Sequence, residues 1–195
     1  MDTQNPILDS LSFFPVTPER WTDFEHLFGK RGACGGCWCM FWRQKRSEFE
    51  QFKGDVNRQL MQALVESGEV PGILGYAGDR PFGWVSVGPR LNFSTLERSR
   101  ILKPVDDQDV WSVVCFFVDK PYRKRGLTVH LLQAAVEYAR QCGVRIVEGY
   151  PYEQAGGSSP DPFVYTGLLS AFQKAGFTEV LRRSPKRPIV RYIIE

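Results

Sequence analysis

The sequence predicts an α/β fold, one mixed sheet flanked by helices, and three observations carry that reading. Residues 110–118, which include Val110, Trp111, Val113, Val114, Phe116, Phe117 and Val118, are nearly continuously apolar, as in a strand covered on both faces. Downstream, Leu127, Leu131, Ala134, Ala135 and Tyr138 recur at helical spacing, and residues 144–150 are apolar again. Strand, helix, strand implies a parallel pair joined by a right-handed crossover. Upstream, residues 72–77 and 82–87 flank Gly78, Asp79 and Pro81, which reads as a tight antiparallel hairpin and makes the sheet mixed.

Composition bounds the rest. A chain of 195 residues suits a single domain with one core, and 43% hydrophobic with 24% charged residues excludes a largely disordered chain. A net charge of +3 is too small to imply a nucleic-acid partner. The first residues lack a basic start followed by an apolar core, and the run at 113–118 is far too short to span a bilayer, so no membrane association and a cytoplasmic location are expected. Five cysteines, an odd number with Cys34, Cys37 and Cys39 crowded together, do not form a secreted disulfide framework and fit a reducing compartment.

Taken in order, residues 11–16 read as a short strand. Thr17, Pro18 and Glu19 then read as a helix start, with Trp21, Phe24, Leu27 and Phe28 on its inner stripe, His26 outside and Gly29 as the stop. The stretch from Gly32 to Arg43 has two readings. C-x-x-C and C-x-C spacings favour a metal site, but a closed zinc site wants four ligands, and Cys115 and Cys142 fall in a strand and at a helix end. No metal is therefore expected. The plainer reading is a glycine-hinged loop of small thiols, with Trp38, Met40, Phe41 and Trp42 packed on the core or walling an acceptor pocket.

Residues 47–67 read as one helix with Leu60, Met61, Leu64 and Val65 on one face and Gly68 as its stop. The role of residues 88–109 is not legible. Residues 154–162 are polar and rich in glycine, serine and proline, suited to a loop that orders on ligand binding. A helix over 163–174, with Leu168, Leu169 and Phe172 inward, and strands near 179–182 and 189–194 complete the chain.

The chemistry concentrates where the strand at 110–118 turns into the next helix. There Arg123, Lys124 and Arg125 precede Gly126, Leu127 and Thr128. A helix start offers unpaired N–H groups and partial positive charge, the three basic side chains add full charges, and Gly126 admits a ligand close to the backbone. A phosphate-bearing ligand meets those conditions.

Residues 123–128 are similar to the R/Q-x-x-G-x-G/A loop of the GNAT superfamily of acyl-CoA-dependent N-acetyltransferases. Ala171-Phe172-Gln173-Lys174-Ala175-Gly176-Phe177 resembles that family's helix-to-strand motif, commonly L-Y-E-K-L-G-F. The resemblance covers roughly residues 70–195. It implies a GNAT-like twisted, splayed central sheet in one domain over 1–195, with an acyl-CoA-binding core at 70–195 and an acceptor side built by residues 1–70.

It further implies acetyl-CoA as cosubstrate, its pyrophosphate on Arg123, Lys124, Arg125, Gly126, Leu127 and Thr128, and its pantetheine along Phe116, Phe117 and Val118. Thr128 stands where the family has glycine or alanine, and its hydroxyl is suited to capping the helix or meeting phosphate. Phe172, beside the cofactor, stands where members often carry a tyrosine that protonates the departing thiolate. Tyr165, or Tyr150 or Tyr152, is a substitute for that lost donor.

The implied reaction is direct attack by a primary amine of a small molecule or peptide. An alkyl ammonium with a pKa near ~10.4 must first lose a proton to a base or a water chain. Glu148 and Glu153 stand nearest the expected acceptor end, although a carboxylate there is commonly just solvated. The Val118 backbone N–H is the expected oxyanion donor. Trp38, Met40, Phe41, Trp42 and Tyr150 are the expected acceptor-side residues. Two other readings stand beside this one: a non-catalytic acyl-CoA-binding or sensing module, and a redox or metal switch through residues 34–39. A homodimer is left open.

Overall fold

The computed structural model describes residues 10–154 and 165–195. Strand β1 (Leu11–Pro15) leads through a turn over Pro18–Arg20 into α1 (Trp21–Phe28), which Gly29 ends at φ 62°. The buried stripe of α1 is Trp21, Phe24, Leu27 and Phe28, with His26 exposed, as its 3–4 spacing dictates. Helices α2 (Arg46–Phe52) and α3 (Asp55–Glu66) follow, then the hairpin of β2 (Gly72–Ala77) and β3 (Arg80–Pro89). The short α4 (Ser94–Glu97) lies in the excursion before β4 (Trp111–Val118). The chain continues through α5 (Leu127–Gln141), β5 (Ile146–Gly149), α6 (Leu169–Lys174), β6 (Thr178–Arg182) and β7 (Pro188–Ile193).

Among the described residues seven strands form one mixed sheet in the order β1-β2-β3-β4-β5-β7-β6, with β4 in the middle. Every pairing is antiparallel except β4 with β5, the parallel pair that the crossover through α5 requires. One face packs on α5 and α6 through Phe82, Val85, Val113, Leu131, Ala135 and Phe172. The other carries α1, α3 and the cysteine-aromatic loop through Phe24, Trp38, Trp42, Met61, Trp84 and Tyr150. Both faces of β4 are thereby buried, which accounts for its unbroken apolar sequence.

The feature that positions everything else is a split in the sheet. Strand β4 stays paired with β3 from Trp111 to Val118, but meets β5 only at Trp111, Ser112 and Val113. Beyond that point Phe172 of α6 occupies the space between the strands. A Cβ at Gly149, the end of β5, would lie 2.1 Å from its ring, and one at Gly167 would lie 2.8 Å away. The Phe172 ring stands edge-on to Phe116 of β4 at 6.0 Å and to Phe177 at 5.0 Å. The Phe116 N–H, deprived of a β5 partner, donates instead to the Tyr165 carbonyl at 2.6 Å.

Two helical expectations change. The single helix over 47–67 is two, broken at Lys53 and Gly54, where Gly54 adopts φ 90°; Leu60 consequently lies 36% exposed while Met61 and Val65 are buried. The helix expected from 163 starts at Leu169, because residues 165–167 turn, with Gly167 at φ 83°, to bring the Tyr165 carbonyl to β4. Residues 163 and 164, and the polar loop from 155 onwards, lie outside the described residues.

Gly149→Ala tests the wedge. Adding one methyl against Phe172 forces the ring to move, and overpacking of this kind costs roughly 1–3 kcal/mol. Urea unfolding is expected to shift to a lower midpoint with an unchanged slope; wild-type stability would show that the ring does not hold the strands apart.

Candidate active site

At the split, β4 ends and the chain turns through the basic loop into α5. Asp119 organises the turn: its carboxylate accepts the Lys120 N–H at 2.7 Å, and its own N–H donates to the Phe82 carbonyl at 2.8 Å. Lys124 and Gly126 adopt φ 61° and 77°, so the loop doubles back and Gly126 precedes the first helical residue, Leu127. Gly126, not Thr128, is thus the residue at the helix cap, and Thr128 lies one residue into the first turn. The Val129 N–H already bonds the Gly126 carbonyl at 3.0 Å, whereas the amides of Leu127 and Thr128 come too early for a carbonyl behind them in the helix. They add to the partial positive charge of a fifteen-residue helix.

This loop opens on a cavity of about 850 Å³. Its walls include Phe116, Phe117, Val118, Arg123, Lys124, Gly126, Leu127 and Thr128, so eight of the residues expected at a cofactor site share one space. Arg125 is exposed and does not line it. Phe172 is fully buried as the wedge and does not line it either. Backbone amides alternate sides along an extended strand, so the Val118 N–H points the same way as that of Phe116, away from β3 and into the split. The Val118 carbonyl on that side accepts from Arg123 Nε at 2.8 Å.

The opposite wall belongs to the cysteine-aromatic loop. Ala33, Cys34, Gly35, Cys37, Cys39 and Phe41 line the cavity, joined by Phe49, Glu50 and Lys53 of the α2 region. The loop is strained: Ala33, Trp38 and Cys39 hold φ of 62°, 32° and 43°, values that side-chain-bearing residues rarely adopt. Its indole packing supports that shape. Trp38 stacks on Phe28 at 5.7 Å and fills the space where Gly32 would carry a Cβ. Trp38, Met40 and Trp42 are therefore core residues, 5–6% exposed, and Phe41 alone of the four faces the cavity.

Four of the five cysteines, Cys34, Cys37, Cys39 and Cys115, meet at this cavity, and all are free thiols. Cys39 Sγ donates to Cys115 Sγ at 2.9 Å across 76 residues of sequence. The polar contact of the neighbouring Cys39 thiol, with backbone hydrogen bonds from Cys39 and Cys34, outweighs burial and brings Cys37 down to about 6. Burial, with the adjoining Cys115 and Cys37, pushes Cys39 well up. For Cys115 the Cys39 hydrogen bond pulls down, but burial and the neighbouring thiols leave it raised. Among the described residues no group of three or more histidine, cysteine or acidic side chains has the geometry to hold a metal ion.

The carboxylate expectations meet a different structure. Glu148 is not a solvated or acceptor-facing group: it is fully buried, with Oε1 bonded by Arg90 at 3.2 Å and by the Tyr150 hydroxyl at 2.7 Å, and Oε2 by Arg191 at 2.8 Å. Both oxygens are engaged and neither lines the cavity. Tyr150 is also fully buried, bonded to Arg90 at 2.6 Å and Ser112 at 2.8 Å, with its hydroxyl pushed well up by burial and by Glu148. It too stands outside the cavity. Glu153 pairs with Arg182, away from it.

Tyr165 does line the cavity, 5.7 Å ring to ring from Phe41, and burial together with Cys115 holds its hydroxyl protonated, pushed up to about 12. Tyr152 bonds through its backbone to Gly167 and Leu169. Sequence reasoning missed Glu50, the described carboxylate on the cavity wall, which Lys53 holds below the usual glutamate range. Its one signal was the i,i+3 pairing of Glu50 and Lys53 on a helix face that reads as solvated.

The profile of the acetyltransferase (GNAT) family matches residues 36–151, more than half of the chain. The chain belongs to the GNAT family. Its solved relatives show how far the GNAT fold extends along it. An acetyltransferase of the family from Listeria monocytogenes superposes with TM-score 0.55 at 8% identity, covering 94% of this chain and 95% of the other. The PaiA N-acetyltransferase of Thermoplasma acidophilum, solved with coenzyme A, gives 0.51 at 12% identity over 95% and 99%. AAC(6')-Ib, solved with paromomycin and acetyl-CoA, gives 0.54 at 16% identity over 95% and 94%. At these identities the likeness concerns fold alone, and no curated protein matches the sequence. No helix among the described residues of this GNAT chain is long and apolar enough to cross a membrane.

The thiolate character of Cys37 is directly measurable. Its lowered pKa means that the reactive anion appears as pH rises through about 6, below the ~8.5 of an ordinary cysteine. Iodoacetamide labelling of Cys37, followed by peptide mass against pH, is expected to reach half its maximal rate near pH 6; a midpoint near 8.5 would remove the reactive thiolate from the site.

Proposed function

We propose that the protein is an N-acetyltransferase that passes an acetyl group from acetyl-CoA to the primary amine of a small molecule or peptide by direct attack in a ternary complex. The observation that carries this is the continuity of one cavity from the split edge of β4 to the basic start of α5. Along that path the pyrophosphate rests on the amides of Leu127 and Thr128 and the side chains of Arg123 and Lys124, with Arg125 adding charge from outside. The pantetheine runs beside Phe116, Phe117 and Val118, and the thioester carbonyl meets the Val118 N–H as the negative charge develops. Family membership and the coenzyme A or acetyl-CoA in the PaiA and AAC(6')-Ib structures support the donor.

The chain divides the work. Residues 70–195 hold the donor, and the first seventy, through Phe41, Phe49 and Glu50, shape the acceptor side. Glu50, kept anionic, draws an ammonium group to the wall. Proton removal from the amine falls to water in the cavity, since Glu148 and Glu153 are both bound to arginines. Tyr165 keeps its proton at neutral pH and is placed to give it to the departing thiolate, the role left open by Phe172. A thiolate leaves readily with a conjugate pKa near ~8.5, so this help is modest.

Two measurements test the reading. Thiol release from acetyl-CoA across a panel of primary amines is expected to depend on the amine, with the acetylated amine found by mass. Tight coenzyme A binding without turnover on any amine would favour a binding module instead. Gly126→Glu places an anion at the pyrophosphate, where an added Cβ meets nothing within 4 Å, so the variant is expected to fold and lose measurable coenzyme A binding. Gly126→Ala, which shares the strained φ of 77°, should keep most of it. Unchanged coenzyme A affinity in folded Gly126→Glu would place the pyrophosphate elsewhere.

A further inference from the structure

Four thiols at one cavity exceed what acetyl transfer uses. Cys39 and Cys115 are buried and arrive from opposite walls, one on the strained loop and the other on β4 next to Phe116. Their sulfurs lie 2.9 Å apart, so an approach of about 0.9 Å would reach the ~2.05 Å of a covalent S–S bond. Cys37 stands two residues from Cys39, half-buried and open to the same cavity. The division of labour is that of a sensing thiol beside a resolving pair. Deep burial keeps Cys39 and Cys115 protonated and unreactive alone, while the cavity gives a small oxidant access to Cys37.

We infer that the thiol cluster is an oxidative modification site, at which hydrogen peroxide reacting at Cys37 yields a disulfide between Cys39 and Cys115 across the cavity wall. The Cys37 thiolate attacks the peroxide O–O bond, becoming a sulfenic acid and releasing hydroxide. The Cys39 thiol then attacks that sulfur, forming the Cys37–Cys39 bond and releasing water. Cys115 attacks the Cys39 sulfur, Cys37 leaves as the thiolate, and the proton lost by Cys115 neutralises the hydroxide. Two thiols are oxidised, one peroxide is reduced to two waters, and Cys37 is regenerated. Exchange in this direction is favoured because Cys37 is the best leaving group of the three. The product ties the loop of the acceptor wall to the strand that carries the cavity's other wall.

The test uses the full chain, reduced, desalted and treated with hydrogen peroxide. Denatured thiol counts are expected to fall from the five cysteines of the sequence to three, with non-reducing peptide mapping finding the Cys39–Cys115 link and dithiothreitol reversing both. Cys37→Ser should slow formation of the link roughly tenfold or more, because the accessible thiol two residues from Cys39 is gone and Cys39 and Cys115 are themselves buried. Cys142→Ser, at the far end of α5, should change neither rate nor product. In Cys115→Ala, with folding checked by circular dichroism, the oxidation should stop at Cys37 and Cys39. Retention of five thiols, a link between other cysteines, or an unchanged rate in Cys37→Ser would overturn the proposal.

Discussion

The divergence of β4 from β5 after Val113 is the constraint on which the rest of the structure depends. Two unlike devices flank the split. On one face Phe172 sits against two glycines, Gly149 and Gly167, whose missing side chains admit its ring. On the other, one rung before the strands part, Glu148 is clamped by Arg90 and Arg191, and Arg191 is itself held in the charged state by Asp106 at 2.6 Å. Removing one partner from a buried ionic network of this kind costs on the order of 3–5 kcal/mol, because the others are left desolvated and unpaired. An apolar wedge and a charged clamp together hold the strands where a backbone edge faces the cavity.

The two residues on which the sequence-level chemistry leaned most serve the sheet instead. Glu148 belongs to the clamp, and Phe172 belongs to the wedge; neither faces the cavity. A tyrosine at 172 in this packing would have to accommodate a hydroxyl near Gly149 and Phe177, so phenylalanine is the residue that the site's shape calls for. In the proposed reaction the proton-donating role falls to Tyr165, whose carbonyl bonds β4 and whose ring meets Phe41 across the cavity.

The succession of strands along the chain and the basic loop were legible in the sequence because their signals are local. Apolar runs, a turn dipeptide and a helix stripe each lie within a dozen residues. Features set by distant partners were not legible. Glu148 meets Arg191 across 43 residues and Arg90 across 58, and Cys39 meets Cys115 across 76, separations at which nothing in the neighbouring sequence marks the pair. Trp38 and Trp42 went to the core instead of the cavity because a large flat surface is best buried among Phe24, Phe28 and Tyr165, a preference that composition alone cannot aim. The break between α2 and α3 turns on a single glycine at positive φ, whose amide bonds Gly36 of the cysteine loop at 2.9 Å.

The cavity therefore joins two kinds of wall: a rigid sheet edge with a helix start, and a strained loop rich in thiols. Hydrogen–deuterium exchange with and without coenzyme A reads the first of these most directly. The amides of Val118, Leu127 and Thr128 are expected to become protected together on binding, with residues 123–126 following, while β6 and β7 stay unchanged. Protection confined to other parts of the chain, with these amides exchanging as before, would contradict the placement of the donor in the split of the sheet.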